Sequence, residues 1–195
     1  GMPFPRVKGQ AYEASNHIPL AIRWPRGISG RSRVVTDYVS FADIAPTFLE
    51  AAGVASLVPV MQPMSGRSLF DIFRSTKSGQ VSASRDHVLI GKERHDIGRP
   101  NNWGYPIRGI VKGDQLYLHN FKPDRWPMGN PYNLTDTKTP ETKVLENNTF
   151  VTFGDLDASP AKAWLIEHRN DAKWRQHYDW AFGKRPEEEL FVLAD

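Results

Sequence analysis

The chain contains no cysteine. Disulfide staples, thiolate metal sites and a cysteine nucleophile are therefore excluded for these 195 residues. The lack of disulfides leaves the compartment open. No apolar run approaches the ~20 residues needed to span a bilayer, and no basic-then-apolar leader opens the chain. Metal-ligand spacing is lacking too: His17, His87, His119, His168 and His177 are scattered, without an HExxH or similar pattern. Charge of one sign is not concentrated anywhere. Lys and Arg number 25 against 22 Asp and Glu, so the net charge of +3 and pI of about 9.2 reflect a mild, dispersed excess. Such a balance is compatible with acidic ligands without demanding them. Nucleic-acid binding ranks last among the readings, because neither a basic stripe nor a stacking platform occurs. There is no internal repeat and no low-complexity tract.

Apolar residues, by contrast, are sufficient. They make up 39% of the chain, aromatics 11%, and six are Trp. That is enough to bury a core and offset the ordering entropy, with room for one domain and a small subdomain. Fifteen Gly and fifteen Pro imply many loops and short elements.

Residues 3–18 read as a loop, with two prolines, a glycine and no polar period. Ile18-Pro19-Leu20-Ala21-Ile22-Arg23-Trp24 is a short apolar run stopped by Pro25 and Gly27, which predicts a buried strand of parallel type. A basic turn follows, then Val34-Val35-Thr36 as a short strand or lead-in. Ser40 is placed to cap a helix, with Asp43 as its capping-box partner. Phe41, Ile44, Phe48, Leu49 and Ala52 recur at helical spacing, Pro46 sits early, and Gly53 is a good terminator. Residues 54–64 read as an apolar, proline-broken loop, and Ser68–Phe73 as a second short helix.

From Val88 the texture changes. Val88–Ile90 and Tyr105–Lys112 read as strands, Gly113-Asp114 as a turn, and Gln115–Asn120 as the return strand of a hairpin. Residues 121–158 form a long irregular stretch, a length that in compact domains serves function or wraps a surface. Ser159-Pro160 opens a helix expected to reach about Phe182, with Gly183 closing it. Glu189–Leu193 reads as a last strand. The fold class expected is α/β followed by α+β: a buried strand with helices, then an antiparallel sheet covered by C-terminal helices.

The chemistry-bearing groups are few. Lys8-Gly9 places a compact cation on a loop that admits close approach of an anionic oxygen, just ahead of a strand, a usual location for α/β sites. Its bland alternative is a solvated loop lysine. Lys92-Glu93-Arg94-His95-Asp96, with Arg99, follows the strand Val88–Ile90. Histidine can move a proton near neutral pH and arginine grips carboxylate or sulfate bidentately; a solvated charged loop is the alternative. Trp103, Tyr105, Trp126 and Tyr132 lie in or beside long loops, where they either stack on a sugar ring or staple the loops to the core. Asp124-Arg125 reads as an exposed ion pair of little worth. Asn133 and Asn147 head glycosylation sequons, which matter only in a eukaryotic secretory context.

The segment Pro3–Gly27 resembles the stretch of type I sulfatases, members of the alkaline-phosphatase-like superfamily, that follows their calcium-binding Asp-Asn-Gly. That family shows a lysine, a spacer, Tyr-Glu, then Val-Pro and a buried strand; the equivalents are Lys8, Tyr12-Glu13 and Ile18-Pro19. The helix segment with Asp43, Pro46 and Thr47 resembles the family's Asp-x-x-Pro-Thr pattern, and Met64–Phe73 its Gly-x-Ser-Leu element. Residues 91–131, together with 159–168 and 181–193, are similar to heparan N-sulfatase (N-sulfoglucosamine sulfohydrolase)-like bacterial members. Two departures stand out. Ala14-Ser15 replace the family's Gly-Gly. No Cys/Ser-x-Pro-x-Arg nucleophile motif is present, since residues 29–33 and 82–86 lack its proline.

The resemblance implies a C-terminal sulfatase piece: residues 2–80 from the large α/β domain and 81–195 a C-terminal antiparallel-sheet subdomain with helices. It implies a parent enzyme that hydrolyses sulfate esters or sulfamates of amino sugars or glycosaminoglycans, with this chain alone inactive. Lys8 would contact the sulfate and stabilise developing charge. Arg94, His95 and Arg99 would bind the anionic sugar, and Glu13 would orient loop backbone. Calcium would belong to the parent, with its ligands outside this chain. The missing N-terminal sulfatase half would be the chain's partner, and the location periplasmic or extracellular for a bacterial parent. The alternative is a non-catalytic module that binds an anionic glycan, or a purely structural one.

Overall fold

The computed structural model describes residues 4–54 and 62–193. Most of the expected 54–64 loop therefore lies outside the described residues. The chain divides into two units. One comprises Pro19–Leu89 with Val111–Gly113; the other comprises the described parts of Gly1–Ile18, Ile90–Ile110 and Asp114–Asp195.

In the first unit, Ser40 starts a helical segment as expected. Its hydroxyl accepts from the Ala42 amide, and the Asp43 carboxylate accepts from the Ser40 amide, the reciprocal capping arrangement. A 3-10 turn over Phe41–Asp43 leads into helix α2 (Ile44–Ala51), followed after Ala52 by Gly53. Helix α3 (Phe70–Arg74) carries Ile72 and Phe73 into a small core with Leu69, against which Trp24, Ile28, Val35, Ile44 and Val81 pack.

A polar cluster ties these pieces together. The Arg85 guanidinium, 1% exposed, donates to Asp43, Asp71 and the Arg67 and Ser68 carbonyls. Asp43 also accepts from the Arg67 amide at 2.7 Å. The Thr47 hydroxyl donates to the Asp43 carbonyl and accepts from the Leu69 amide. Gly66 lies so close to the Ala42 carbonyl that a Cβ there would sit 1.9 Å from its oxygen. The Asp-x-x-Pro-Thr and Gly-x-Ser-Leu patterns thus have a packing reason: they lock α2 to the turn before α3.

The expectation of a buried strand over Ile18–Trp24 is overturned. The segment is irregular, and Ile18, Leu20 and Ile22 are 44–50% exposed. An extended segment becomes a strand only when a neighbour takes its backbone hydrogen bonds, and no described strand does. Val35 makes only an isolated parallel bridge, to Gly79.

The chain forms a four-stranded sheet, β1 (His87–Lys92), β2 (Ile107–Lys112), β3 (Gln115–Asn120) and β4 (Glu188–Val192), in sequential order, with β3, β4, Ile90–Lys92 and Ile107–Ile110 in the second unit. Gly113-Asp114 closes the β2–β3 hairpin as expected. Strand β4 runs antiparallel to β3 with Leu116 opposite Phe191 and Leu118 opposite Glu189. Period-2 alternation buries Ile107, Leu116 and Leu118. On β4 the alternation inverts: Glu189 is buried, while Leu190 and Val192 are 65% and 66% exposed. Glu189 faces inward because Arg185 and the Tyr12 hydroxyl both meet its carboxylate there.

The main core gathers Met128, Leu145, Phe153, Leu156, Ala163, Ile166, Ala181 and Phe182. Three helices supply five of these residues, α4 (Thr142–Asn147), α5 (Pro160–Glu167) and α6 (Arg175–Phe182), and irregular segments supply Met128, Phe153 and Leu156. Helix α4 lies inside the stretch expected to be irregular. The single helix expected over 160–182 is two, because His168–Lys173 carries no apolar residue at core spacing and Asp171 turns back onto the Lys173 amide. Ser159 and Pro160 open α5 as expected, the serine hydroxyl accepting from the Lys162 amide. Arg125 does not pair with Asp124; it donates to the Gly104 carbonyl and stacks over Trp103. Among the loop aromatics, Tyr105 is fully buried and Trp126 packs on Phe153, whereas Trp103 and Tyr132 remain 48% and 40% exposed.

Candidate functional site

The loop over residues 4–12 is pinned before it reaches Lys8 chemistry. Tyr12 is its anchor. The Tyr12 hydroxyl donates to Glu189 at 3.1 Å, its ring meets Phe191 edge-on at 5.9 Å, and the Arg6 guanidinium lies over its face at 5.1 Å. Burial, reinforced by Glu189, pushes the Tyr12 phenol up to about 12. Gln10 and Ala11 are buried beside it. One helical turn, α1 (Glu13–Asn16), follows.

Lys8 projects from this anchored loop. Its ammonium bonds both carboxylate oxygens of Asp157, at 2.7 and 3.0 Å, with both side chains a little over one-third exposed. The lysine holds the Asp157 carboxylate below the ordinary range, chiefly through the hydrogen bond. Gly9 adopts φ +66°, and a Cβ there would come within 2.4 Å of the His95 ring. His95 therefore backs directly onto the Lys8 loop, and only glycine fits between them.

The structure brings Lys8 and His95 together, and sets Arg94 in the same cavity wall as His95. That cavity, of about 380 Å³, is lined by Gly9, Gln10, Ser15, Asn16 and Gly91–His95. Glu93 on its rim pairs with Arg108. Arg99 is not on the cavity surface. Its guanidinium is 1% exposed, 2.9 Å from Asp155, and donates to the Trp126 and Pro127 carbonyls. It lies over the Tyr105 ring at 5.3 Å. Glu13 bonds His17 at 2.5 Å across α1 rather than loop backbone.

Sequence reasoning missed three members. Lys92 was read only as part of a charged run. Its side chain is 7% exposed, 3.7 Å from Asp155, and burial pushes its ammonium down to about 8. Gln10 and Asp157 carried no signal, since a buried glutamine and a carboxylate in an irregular stretch match no motif. Among the described residues, no group of three or more His, Cys, Asp or Glu side chains is placed to hold a metal ion.

In its chemistry the arrangement is an oxyanion-handling surface. One partly exposed ammonium already grips a two-oxygen anion. A histidine stands behind it, and a cavity lined by further cations opens alongside.

Residues 7–89 match the family described as N-sulphoglucosamine sulphohydrolase, C-terminal. Arylsulfatase K of Xenopus laevis is 39% identical over 77 residues, 40% of this chain and 13% of that protein. Human arylsulfatase K is 34% identical over 107 residues, 50% of this chain and 19% of that protein. A sulfatase of Formosa agariphila is 24% identical over 178 residues, covering 83% of this chain and 29% of its own length. The chain spans less than a third of each of these relatives. Residues 7–89 are thus similar to the C-terminal part of the sulfatase family, and a weaker likeness to a sulfatase runs on through most of the remaining chain.

Proposed function

We propose that the protein carrying this chain is a sulfatase acting on sulfate esters or sulfamates of amino sugars or glycosaminoglycans, in which Lys8 holds the sulfate. The observation that carries this reading is the bidentate grip of Lys8 on the Asp157 carboxylate, at the start of the segment that matches the family. A carboxylate presents two anionic oxygens much as a sulfate presents three. Lys8 would exchange Asp157 for the sulfate, and its charge would oppose the negative charge that develops as the S–O or S–N bond breaks. Arg94 and His95 would meet the sugar at the cavity mouth, and Arg99 would support that wall from beneath through Asp155.

The rest of the reading follows from what this sequence carries. It has neither cysteine nor Ser-x-Pro-x-Arg, so the nucleophile and the calcium ligands would come from the N-terminal sulfatase half, and this chain alone would not turn over. Ile18, Leu20 and Ile22 form an exposed apolar edge, which suits pairing with a strand of that half. A periplasmic or extracellular site of action fits sulfated glycan substrates.

Turnover of N-sulfoglucosamine and of an aryl sulfate by the whole protein tests this. The Lys8→Ala variant is expected to lose about 10²–10³-fold in kcat, the cost of removing one oxyanion-stabilising donor. Full activity in that variant, or turnover by residues 2–195 alone, overturns it.

A further inference from the structure

The cavity beside Lys8 is built with more donors than its surroundings satisfy. Among the described residues, Gln10 Nε2, Lys92 Nζ and His95 Nδ1 are buried and have no hydrogen-bond partner. All three residues line the one cavity. Gln10 is 5% exposed and the Lys92 side chain 7%. Native proteins leave few such groups unpaired. Two of these atoms only donate, and the third donates in one tautomer or when protonated.

The charge is unbalanced in the same sense. Lys92 and Arg99 share a single carboxylate, Asp155, whose Oδ2 lies 2.9 Å from Arg99 and 3.7 Å from Lys92 and takes a hydrogen bond from neither. Arg99 Nη1 also lacks a partner. One buried cation is therefore surplus. Arg94 adds a second positive group to the lining, and the acidic Glu93 is already paired with Arg108. A set of unmet donors around a surplus cation calls for a ligand that only accepts and carries negative charge.

We propose that this cavity is a second oxyanion site, separate from the Lys8 ammonium, in which Gln10, Lys92 and His95 bind a carboxylate or sulfate group. Rotation of Gln10 and Lys92 toward the cavity exchanges unpaired donors for paired ones. This deepens the sulfatase reading and rests on it only for the substrate class: a sugar bearing one anionic group at Lys8 and a second at Gln10 and Lys92. Lys8 and Gln10 stand two residues apart on one stretch of chain, and Lys92 and His95 line the same cavity as Gln10, so a single sugar unit or two adjacent ones would span both sites.

The test is amide and side-chain NMR on residues 2–195. Sodium sulfate and sodium glucuronate are the two anionic probes, glucose is the neutral one, and chloride is matched for ionic strength. The Gln10 side-chain amide and the Gly91–His95 backbone amides are expected to shift saturably with the anions and not with glucose. Whichever anion saturates at the lower concentration identifies the group. Lys92→Met and Gln10→Glu are each expected to weaken binding at least about tenfold, whereas Lys8→Ala changes it less than about twofold. Lys92→Met leaves Arg99 and Asp155 as a one-to-one pair, and a retained amide spectrum confirms its fold. Three results overturn the proposal: no shift at Gln10 with either anion, equal shifts with glucose, or loss of the shifts in Lys8→Ala with retention in Gln10→Glu. Sulfatase turnover is not read by this experiment, so its failure and failure of the enzymatic reading are separate outcomes.

Discussion

Replacing Arg85 by alanine is the most informative perturbation of the sulfatase-like motifs. The guanidinium is 1% exposed and lies 3.0 Å from Asp43 and 3.2 Å from Asp71. Its loss affects the two carboxylates unequally. Asp71, 45% exposed, is rehydrated. Asp43, 8% exposed, keeps only the Ser40 and Arg67 amides and becomes a buried charge without a counterion. Removing one partner of such a pair typically costs about 3–5 kcal/mol. The orphaned Arg67 and Ser68 carbonyls lie at part-buried positions, so they add to that range only modestly. Against a stability of about 5–15 kcal/mol, about 4 kcal/mol moves the urea midpoint of the circular-dichroism transition by more than 1 M at a typical slope. Asp43→Asn in the Arg85→Ala background removes the stranded charge, so the double variant should be less destabilised than the sum of the singles, with a coupling of about 1–3 kcal/mol. A loss below about 1 kcal/mol for Arg85→Ala, or strict additivity in the cycle, refutes the view that this cluster locks α2 to α3.

Other perturbations separate anchoring from chemistry. Gly9→Ala forces φ +66° on a residue with a Cβ and drives that atom into His95; a loss of about 1–3 kcal/mol in urea unfolding, with shifted His95 ring resonances, is expected. Asp157→Asn removes a partly exposed pair and should cost under about 1 kcal/mol, while raising the affinity of Lys8 for sulfate; an unchanged affinity contradicts the role of Asp157 as a stand-in anion. The pH dependence of stability has a definite sign. The Lys92 ammonium is pushed down to about 8 when folded, against 10.5 for the free group, so the unfolded chain binds more protons between these values and stability rises with pH across that window, at up to about 1.4 kcal/mol per pH unit. Tyr12 is pushed up to about 12 from 10.0, so the folded chain holds its proton longer and stability falls above pH 10. Urea midpoints should peak near pH 10, and Lys92→Met should flatten the rise; an unaltered slope in that variant argues against a charged, desolvated Lys92.

The sequence made local elements legible wherever the signal was itself local. Ser40 with Asp43, Ser159 with Pro160, and Gly113-Asp114 each act through a few bonds within their own segment, and each ends or starts an element where the residues imply. Signals that depend on distant partners did not transfer. Ile18–Trp24 has the composition of a strand, but strand formation belongs to a pair, and its side chains are left 44–50% exposed at Ile18, Leu20 and Ile22. Helix α4 was hidden among Thr, Lys and Asn because its single buried residue, Leu145, gives no period. In the site, Lys8 was legible through its glycine and the family pattern. Asp157 lies 149 positions away and was not.

Arg99 shows why charged residues near a strand end need burial as well as type. By residue class, Arg94 and Arg99 are equal candidates to bind an anion. In the structure Arg94 is exposed at the cavity, while Arg99 spends its donors on Asp155 and two carbonyls. That expenditure is not idle. By competing for Asp155, Arg99 leaves the Lys92 ammonium buried, 3.7 Å from its nearest carboxylate and without a hydrogen bond, in a residue that lines the cavity. An arginine outside the cavity lining thus bears on the charge balance around the lysine proposed to bind the anion. The consequence is testable in the anion titration. Arg99→Met should draw Lys92 onto Asp155 and weaken sulfate binding at the Gln10 amide about as much as Lys92→Met does, although residue 99 does not line the cavity. Unchanged binding in Arg99→Met would show that Lys92 is held away from Asp155 by something other than competition for its charge.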